Sequence, residues 1–197
     1  MSVSPTLEQA QDAGFSLGGE PSVALDFVDT HLHAHADDAT DLLEHRGDAW
    51  WGIEASRLPE GPAPLLAPAQ RLRAAVRELI EARIDGRAPS AAAVTQVNRA
   101  AGAAHETPEL TIGADGPSAT IRWQGRHDGD AHLAVIARDA IALVADPVRS
   151  AQLRRCANPT CSMLFLAENP RRIWCAANVC GNRARVARHQ RRQKEQG

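Results

Sequence analysis

Cys156-Ala157-Asn158-Pro159-Thr160-Cys161, then thirteen residues, then Cys175-Ala176-Ala177-Asn178-Val179-Cys180-Gly181-Asn182-Arg183, is the stretch from which the rest of the chain is best read. Two close cysteine pairs separated by a short span are what a tetrahedral zinc site with four thiolate ligands needs. Each pair turns two sulfurs inward, and the span brings the pairs together. Asn158-Pro159 favours the first turn, and Gly181 permits either a positive φ or a close approach that a side chain would block. Between the pairs, Met163-Leu164-Phe165-Leu166 reads as a strand, Asn169-Pro170 as a turn and Ile173-Trp174 as the returning strand. The order is then knuckle, hairpin, knuckle and helix, as in a treble-clef finger. A unit of about fifty residues with so few large apolar side chains does not fold by burial alone, so one structural Zn²⁺ is expected, with no coordination position left for catalysis.

The four cysteines are the only ones in the chain. The start, Met1-Ser2-Val3-Ser4-Pro5-Thr6-Leu7-Glu8, has neither a basic segment nor a following apolar run, so the expected compartment is the cytoplasm, where clustered thiols are ligands rather than disulfides. No apolar window is long enough to span a bilayer, and no membrane partner is expected. The net charge of −2 conceals a division. Residues 1–148 carry 11 arginines against 22 acidic residues, a net −11, and residues 149–197 carry 10 arginines and Lys194 against Glu168 and Glu195, a net +9. A basic tail sits on an acidic body. Four thiolates and one Zn²⁺ would lower the tail's charge by two and leave it strongly cationic.

The final helix is expected over residues 180–195, with Val186 and the alanines toward the zinc module and Arg183, Arg185, Arg188, Arg191, Arg192 and Lys194 over most of its circumference. Such a helix suits a phosphate backbone, where each neutralised phosphate releases counterions. The alternatives are a solvated terminal helix, or one docked on a protein partner or on the acidic body of the same chain.

Cys180-Gly181-Asn182-Arg183, preceded by Trp174-Cys175 and by Arg155-Cys156-Ala157-Asn158-Pro159 and Cys161, resembles the CGNR zinc-finger family, named for that tetrapeptide. The finger match covers about residues 149–192. Members of the family resemble this chain in placing a C-terminal treble-clef-like finger, taken to bind DNA, behind an N-terminal α/β-rich ABATE domain described for stress-induced transcription regulators. In the N-terminal part the resemblance rests on Ala24-Leu25-Asp26-Phe27-Val28-Asp29-Thr30 and on length. It implies that Cys156, Cys161, Cys175 and Cys180 are the zinc ligands. It also implies that Arg183 and the arginines after it contact nucleic acid.

The body reads as α+β with helix in excess. Residues 1–20 are polar and glycine-rich, a loose arm or edge element. From Ser22 to about Asp48 an apolar start over residues 23–28 is followed by a His- and Asp-rich stretch whose period is ambiguous between helix and strand, and residues 59–64 form a loop. Residues 69–85 place Leu72, Val76, Leu79, Ile80 and Ile84 on one helical face, with Pro68 starting the helix and Gly86 ending it. A second helix follows Pro89 with Ser90 as N-cap and Val94 and Val97 inward. Leu110 and Ile112, then Ile121 and Trp123 after a turn at 113–118, predict a hairpin with one buried face. Residues 131–145 form a mostly apolar helix stopped by Asp146-Pro147. The expected division is an arm over 1–20, an ABATE-like domain over 21–147 and a CGNR finger over 149–194.

Asp29-Thr30-His31-Leu32-His33-Ala34-His35 carries the competing chemistry. An apolar run ending in Asp-x-His-x-His resembles the way metal-dependent amidohydrolases place two imidazoles on one metal at the end of a strand, where His31, His33 and His35 would share a face. A catalytic site needs further ligands, a base and an open position. The other histidines lie in no ligand setting, and about 148 residues fall short of the roughly 250-residue barrel that usually carries the motif. No nucleophile elbow, phosphate loop or dinucleotide fingerprint is present. Trp50 and Trp51 belong to a core or interface, or line a pocket. The expectation is a transcription regulator rather than an enzyme. It binds double-stranded DNA through the finger, while the body dimerises or senses a small-molecule effector. A metal-dependent hydrolase and a protein-interaction module are the alternatives.

Overall fold

The computed structural model describes residues 6–12, 15, 20–33 and 39–196. In chain order the body comprises α1 (Leu7–Asp12), α2 (Val23–Val28), β1 (His31–His33), β2 (Ala39–Asp41), α3 (Leu42–Glu54), α4 (Leu66–Asp85), α5 (Ala91–Ala101), β3 (Ala104–Gly113), β4 (Gly116–Gly125) and α6 (Asp130–Ala145). The tail comprises α7 (Pro147–Ala151), β5 (Leu153–Arg155), β6 (Leu164–Leu166), a π-helical turn (Ala177–Gly181) and α8 (Asn182–Gln196). The strands form three separate antiparallel pairs, β1 with β2, β3 with β4 and β5 with β6. The fold is α+β with helix in excess.

α4 is the axis of the body because its aliphatics recur at helical spacing and all turn inward, with Leu72, Val76, Leu79 and Ile80 buried. It begins at Leu66, two residues before Pro68, whose missing N–H falls in the first turn where no helical acceptor exists. Gly86 ends it with φ 65°, its N–H and that of Arg87 closing onto Arg83 and Ala82 carbonyls. Phe27 from α2, Leu72 and Ile80 from α4, and Ile136 and Leu143 from α6 form the fully buried centre. Trp50 lies in this core, 5.4 Å from the Phe27 ring and edge-on to Trp51. Ser90 caps α5 by accepting from Ala93 N at 3.2 Å. Asp146-Pro147 stops α6 and also starts α7, with Asp146 Oδ1 accepting from Val148 N and Arg149 N.

The apolar run at 23–28 is a helix, every residue of it buried. Three expectations are corrected. Residues 7–12 form a helix rather than a loose arm, and Ala10 and Phe15 are buried in the core. Val94 is 37% exposed and does not face inward. The β3–β4 hairpin buries neither face beyond its base. Leu110, Ile112 and Ile121 are 71%, 74% and 57% exposed, because strands of ten residues extend roughly 34 Å and outrun the helices that could cover them. Only Ala104 is buried. Arg138 pins the base, donating to the Ala101 and Ala104 carbonyls with its guanidinium 5.2 Å from the Trp123 ring centroid.

Gly129 precedes α6 with φ 78°, and a Cβ there would lie 2.2 Å from Pro64 Cα. The positive φ disfavours any side chain, and the clash is with backbone, which cannot swing aside. Gly129→Ala is expected to cost about 3 kcal/mol and to lower Tm by about 10 °C in a thermal melt.

Below α2, Arg57 bridges Asp26 and Glu54 and donates to the Glu20 carbonyl. Burial, reinforced by the Glu54 carboxylate and only partly opposed by Arg57, pushes Asp26 up to about 7 from its ordinary 3.8. Its Oδ1 has no partner among the described residues. The folded chain therefore holds this proton more tightly than the unfolded chain does. Stability associated with it is full below about pH 4 and is lost as pH rises through about 7. Tm is expected to fall between pH 5 and 8, and Asp26→Asn to flatten that slope in part, since Glu54 is shifted in the same direction by burial. An unchanged slope would contradict this account.

Candidate metal centre and basic helix

β5 and β6 bring the first cysteine pair together. Cys156 follows β5 and donates its N–H to Met163 O at 3.0 Å, while Cys161 N reaches back to Asn158 O at 2.9 Å and closes the turn. Asn158 Oδ1 accepts from Thr160, so the Asn-Pro turn forms by the expected side-chain mimicry. The second pair is positioned by a loop. Arg172 donates to the carbonyls of Leu166, Trp174 and Cys175, its guanidinium lying 4.5 Å from the Phe165 ring centroid. The π-helical turn then carries Cys180 inward and opens directly into α8.

The four Sγ atoms lie within 4.8 Å of one another, and Cys161 Sγ and Cys175 Sγ are 3.8 Å apart. Four Zn–S bonds of about 2.3 Å in a tetrahedron set sulfurs about 3.8 Å apart, whereas a disulfide needs about 2.05 Å. The donor set therefore fits one zinc ion and does not fit disulfides. Asn158 Nδ2 donates to Cys180 Sγ at 3.7 Å, a second-layer contact of the kind that steadies a thiolate. Crowding divides the proton affinities of the thiols. The Cys175 thiol holds Cys161 down to about 5, the same hydrogen bond and burial push Cys175 up, and burial raises Cys180 to about 11. A divalent cation would displace the remaining protons.

Two details of the finger differ from expectation. β6 pairs with β5 and not with residues 173–174, which meet the first knuckle through one bond from Ala157 N to Ile173 O at 2.9 Å. The anchoring of Arg172 folds the chain after Leu166 back over the zinc cluster instead of along β6. Gly181 does not have a positive φ, and a Cβ there would meet Trp174 Cδ1 at 3.4 Å, a contact that alanine tolerates.

The finger is not suspended on a linker. Leu153, Leu164 and Leu166 enter the main core, while Phe165 and Met163 pack with the cysteines in a second cluster. Alternation along β6 divides its side chains between the two. Polar contacts complete the junction. Asp29 accepts from Leu164 N at 3.1 Å and lies 3.5 Å from Arg77, which donates to Ser162 O. Glu20 accepts from Leu166 N and pairs with Arg172 at 2.8 Å, and Asp85 pairs with Arg155 at 2.6 Å. Burial raises Asp29 well above its ordinary value. Sequence reasoning missed Glu20, Arg77, Asp85, Arg155 and Arg172 as a group, because their only common signal is a pairing across 70 to 152 residues.

The helix after the metal centre carries the remaining candidates. Arg183, Arg185 and Arg192 are exposed and have no hydrogen-bond or ion-pair partner among the described residues. The side chains of Arg188 and Arg191 lie outside those described. Positions 185, 188 and 192 are three and four residues apart, which sets them on one side of the helix.

The histidine motif is not assembled on the end of a strand. α2 precedes it, Asp29 is buried under the finger, and His31 and His33 fall in β1. His35 and the His33 side chain lie outside the described residues. Among the described residues, the four cysteines are the only group of three or more His, Cys, Asp or Glu placed to hold a metal. No helix there is long and apolar enough to cross a membrane.

A helix-rich α+β body fused to a four-cysteine zinc finger defines the class. Residues 22–147 match the ABATE family model, described as "Putative stress-induced transcription regulator", and residues 152–193 match the CGNR zinc finger. The chain belongs to the ABATE family and ends in a CGNR zinc finger. Neither matched family is an enzyme family. No curated protein matches the chain.

Proposed function

We propose that this protein is a DNA-binding transcription regulator, cytoplasmic and tied to a stress response. Its zinc ion, held by Cys156, Cys161, Cys175 and Cys180, fixes the finger so that Arg183, Arg185, Arg188, Arg191 and Arg192 meet the phosphates of double-stranded DNA. One observation carries this reading. The tail's basic groups divide, Arg155 and Arg172 being consumed in ion pairs with the body, while the described arginines of α8 stay exposed and unpaired. A helix docked on the acidic body would show the reverse. The test is binding of the zinc-loaded protein to mixed genomic duplex fragments across a salt series. A log–log slope of about −4 to −6, lost with a strong zinc chelator, supports the reading. No binding at about 50 mM salt overturns it and moves the basic helix to a protein partner.

A single finger buries little surface on DNA, so a second copy would supply the missing affinity. The hairpin offers the surface for it. Pro108, Leu110, Ile112, Ala119, Ile121 and Trp123 share one face by register, Leu110 opposite Ala119 and Pro108 opposite Ile121. The other face carries Thr107, Glu109, Thr111 and Arg122. An isolated two-stranded hairpin is marginal in water, and two such faces packed about 10 Å apart would shield each other. Leu110→Glu with Ile121→Glu is expected to convert a dimer to a monomer in sedimentation, with zinc content unchanged. A wild-type monomer at micromolar concentration removes this part of the reading.

A further inference from the structure

A cavity of about 810 Å³ opens between the start of α4, the end of α5, the base of the hairpin and the start of α6. Its volume lies in the range of metabolite sites. Arg71, Arg99 and Arg126 line it together with His105 and His127, and Pro68 and Ala103, both half-buried, contribute apolar wall. The concentration of cations is unexpected on a body whose charge is −11. Five other arginines of that body find carboxylates, Arg57 with Asp26, Arg73 with Asp41, Arg77 with Asp29, Arg87 with Glu78 and Arg122 with Glu109. The three at the cavity have no such partner among the described residues. Asp130, the one carboxylate in the lining, is already engaged, its Oδ2 accepting from Arg126 N at 3.0 Å and His127 N at 2.9 Å. That carboxylate therefore fixes the loop that presents Arg126 and His127, and the loop is held from below by the close approach of Gly129 to Pro64.

We propose that this cavity binds a small, multiply anionic metabolite, a phosphorylated or polycarboxylate compound. Three planar guanidiniums suit an anion of two or more charges, since each can grip two oxygens at once. The position suggests what such a ligand does. α4 lines the cavity with Pro68 and Arg71 and, fourteen residues or roughly 21 Å beyond Arg71, holds the finger through Asp85 and Arg155. Arg77 lies between and bonds Ser162 O of the finger. One rigid helix thus joins the two sites. The coupling rests on the DNA-binding reading, but the binding site itself does not.

The test uses the full zinc-loaded chain with pyrophosphate and citrate as probes for the two anion types, titrated calorimetrically at constant ionic strength. Binding of at least one probe with 1:1 stoichiometry is expected. Arg99→Ala with Arg126→Ala is expected to weaken it tenfold or more, with circular dichroism and zinc content unchanged. Arg83→Ala removes an exposed arginine outside the cavity and is expected to leave binding as in the wild type. Equal weakening by Arg83→Ala, or retention of binding in the double variant, overturns the site in favour of general surface charge. Absence of binding by both probes overturns it as well, as does loss of DNA affinity in the double variant without any anion binding, which assigns these arginines to nucleic acid. The failure of the DNA reading is separable, because Arg185→Ala with Arg192→Ala leaves probe binding untouched in either case.

Discussion

Cys156→Ser is expected to reduce zinc from one ion per chain to near zero and to abolish the order of the finger while the body remains folded. The four sulfurs and Asn158 hold together both knuckles and the start of α8, and a structural zinc site contributes roughly 10–16 kcal/mol of apparent binding energy. Little else replaces it, since the only large side chains buried in the second cluster are Met163 and Phe165, with Leu32, Trp174 and Val179 partly buried against it. The loss should stop at β6. Leu153, Leu164 and Leu166 lie in the main core, and Leu164 N and Leu166 N are held by Asp29 and Glu20. Amide hydrogen exchange with metal analysis reads this directly. Protection should vanish over residues 169–190 and persist in α4, α6 and β6. Global unfolding, or an unaltered finger without zinc, would each contradict the assignment.

Arg183→Ala with Arg185→Ala and Arg192→Ala is expected to weaken duplex DNA binding about 100-fold near 50 mM salt and to reduce the salt slope by about 3. At about 1 kcal/mol per phosphate contact, three contacts correspond to about two decades in affinity. Alanine favours helix more than arginine does, so α8 is retained and the effect reads charge rather than folding. Loss of affinity with an unchanged slope would indicate structural damage. Unchanged binding would place the nucleic-acid surface elsewhere or remove it.

Much of the candidate site is legible without coordinates, because zinc imposes a local pattern. Two cysteine pairs, an Asn-Pro turn and a following basic run lie within about forty residues, and their spacing constrains the geometry almost by itself. α4, α5 and α6 are legible for a similar reason, since each repeats its apolar residues at helical spacing and carries a local boundary signal, Gly86 after α4, Ser90 before α5 and Asp146-Pro147 after α6. The hairpin shows where pattern alone misleads. Alternation at Leu110, Ile112, Ile121 and Trp123 correctly reports a strand pair, but not whether anything covers its apolar face.

The metal centre, the helical axis of the body and the separation of charge are each written in residues close together along the chain. How the finger meets the body and where the cations of the body gather follow from long-range packing. Glu20 with Arg172, Asp29 with Leu164 and Asp85 with Arg155 join positions 70 to 152 residues apart. Arg71, Arg99 and Arg126 come from a helix start, a helix end and a loop to face one cavity. Such pairings leave no periodicity behind, because they are set by the packing of helices whose inward faces alone are encoded locally.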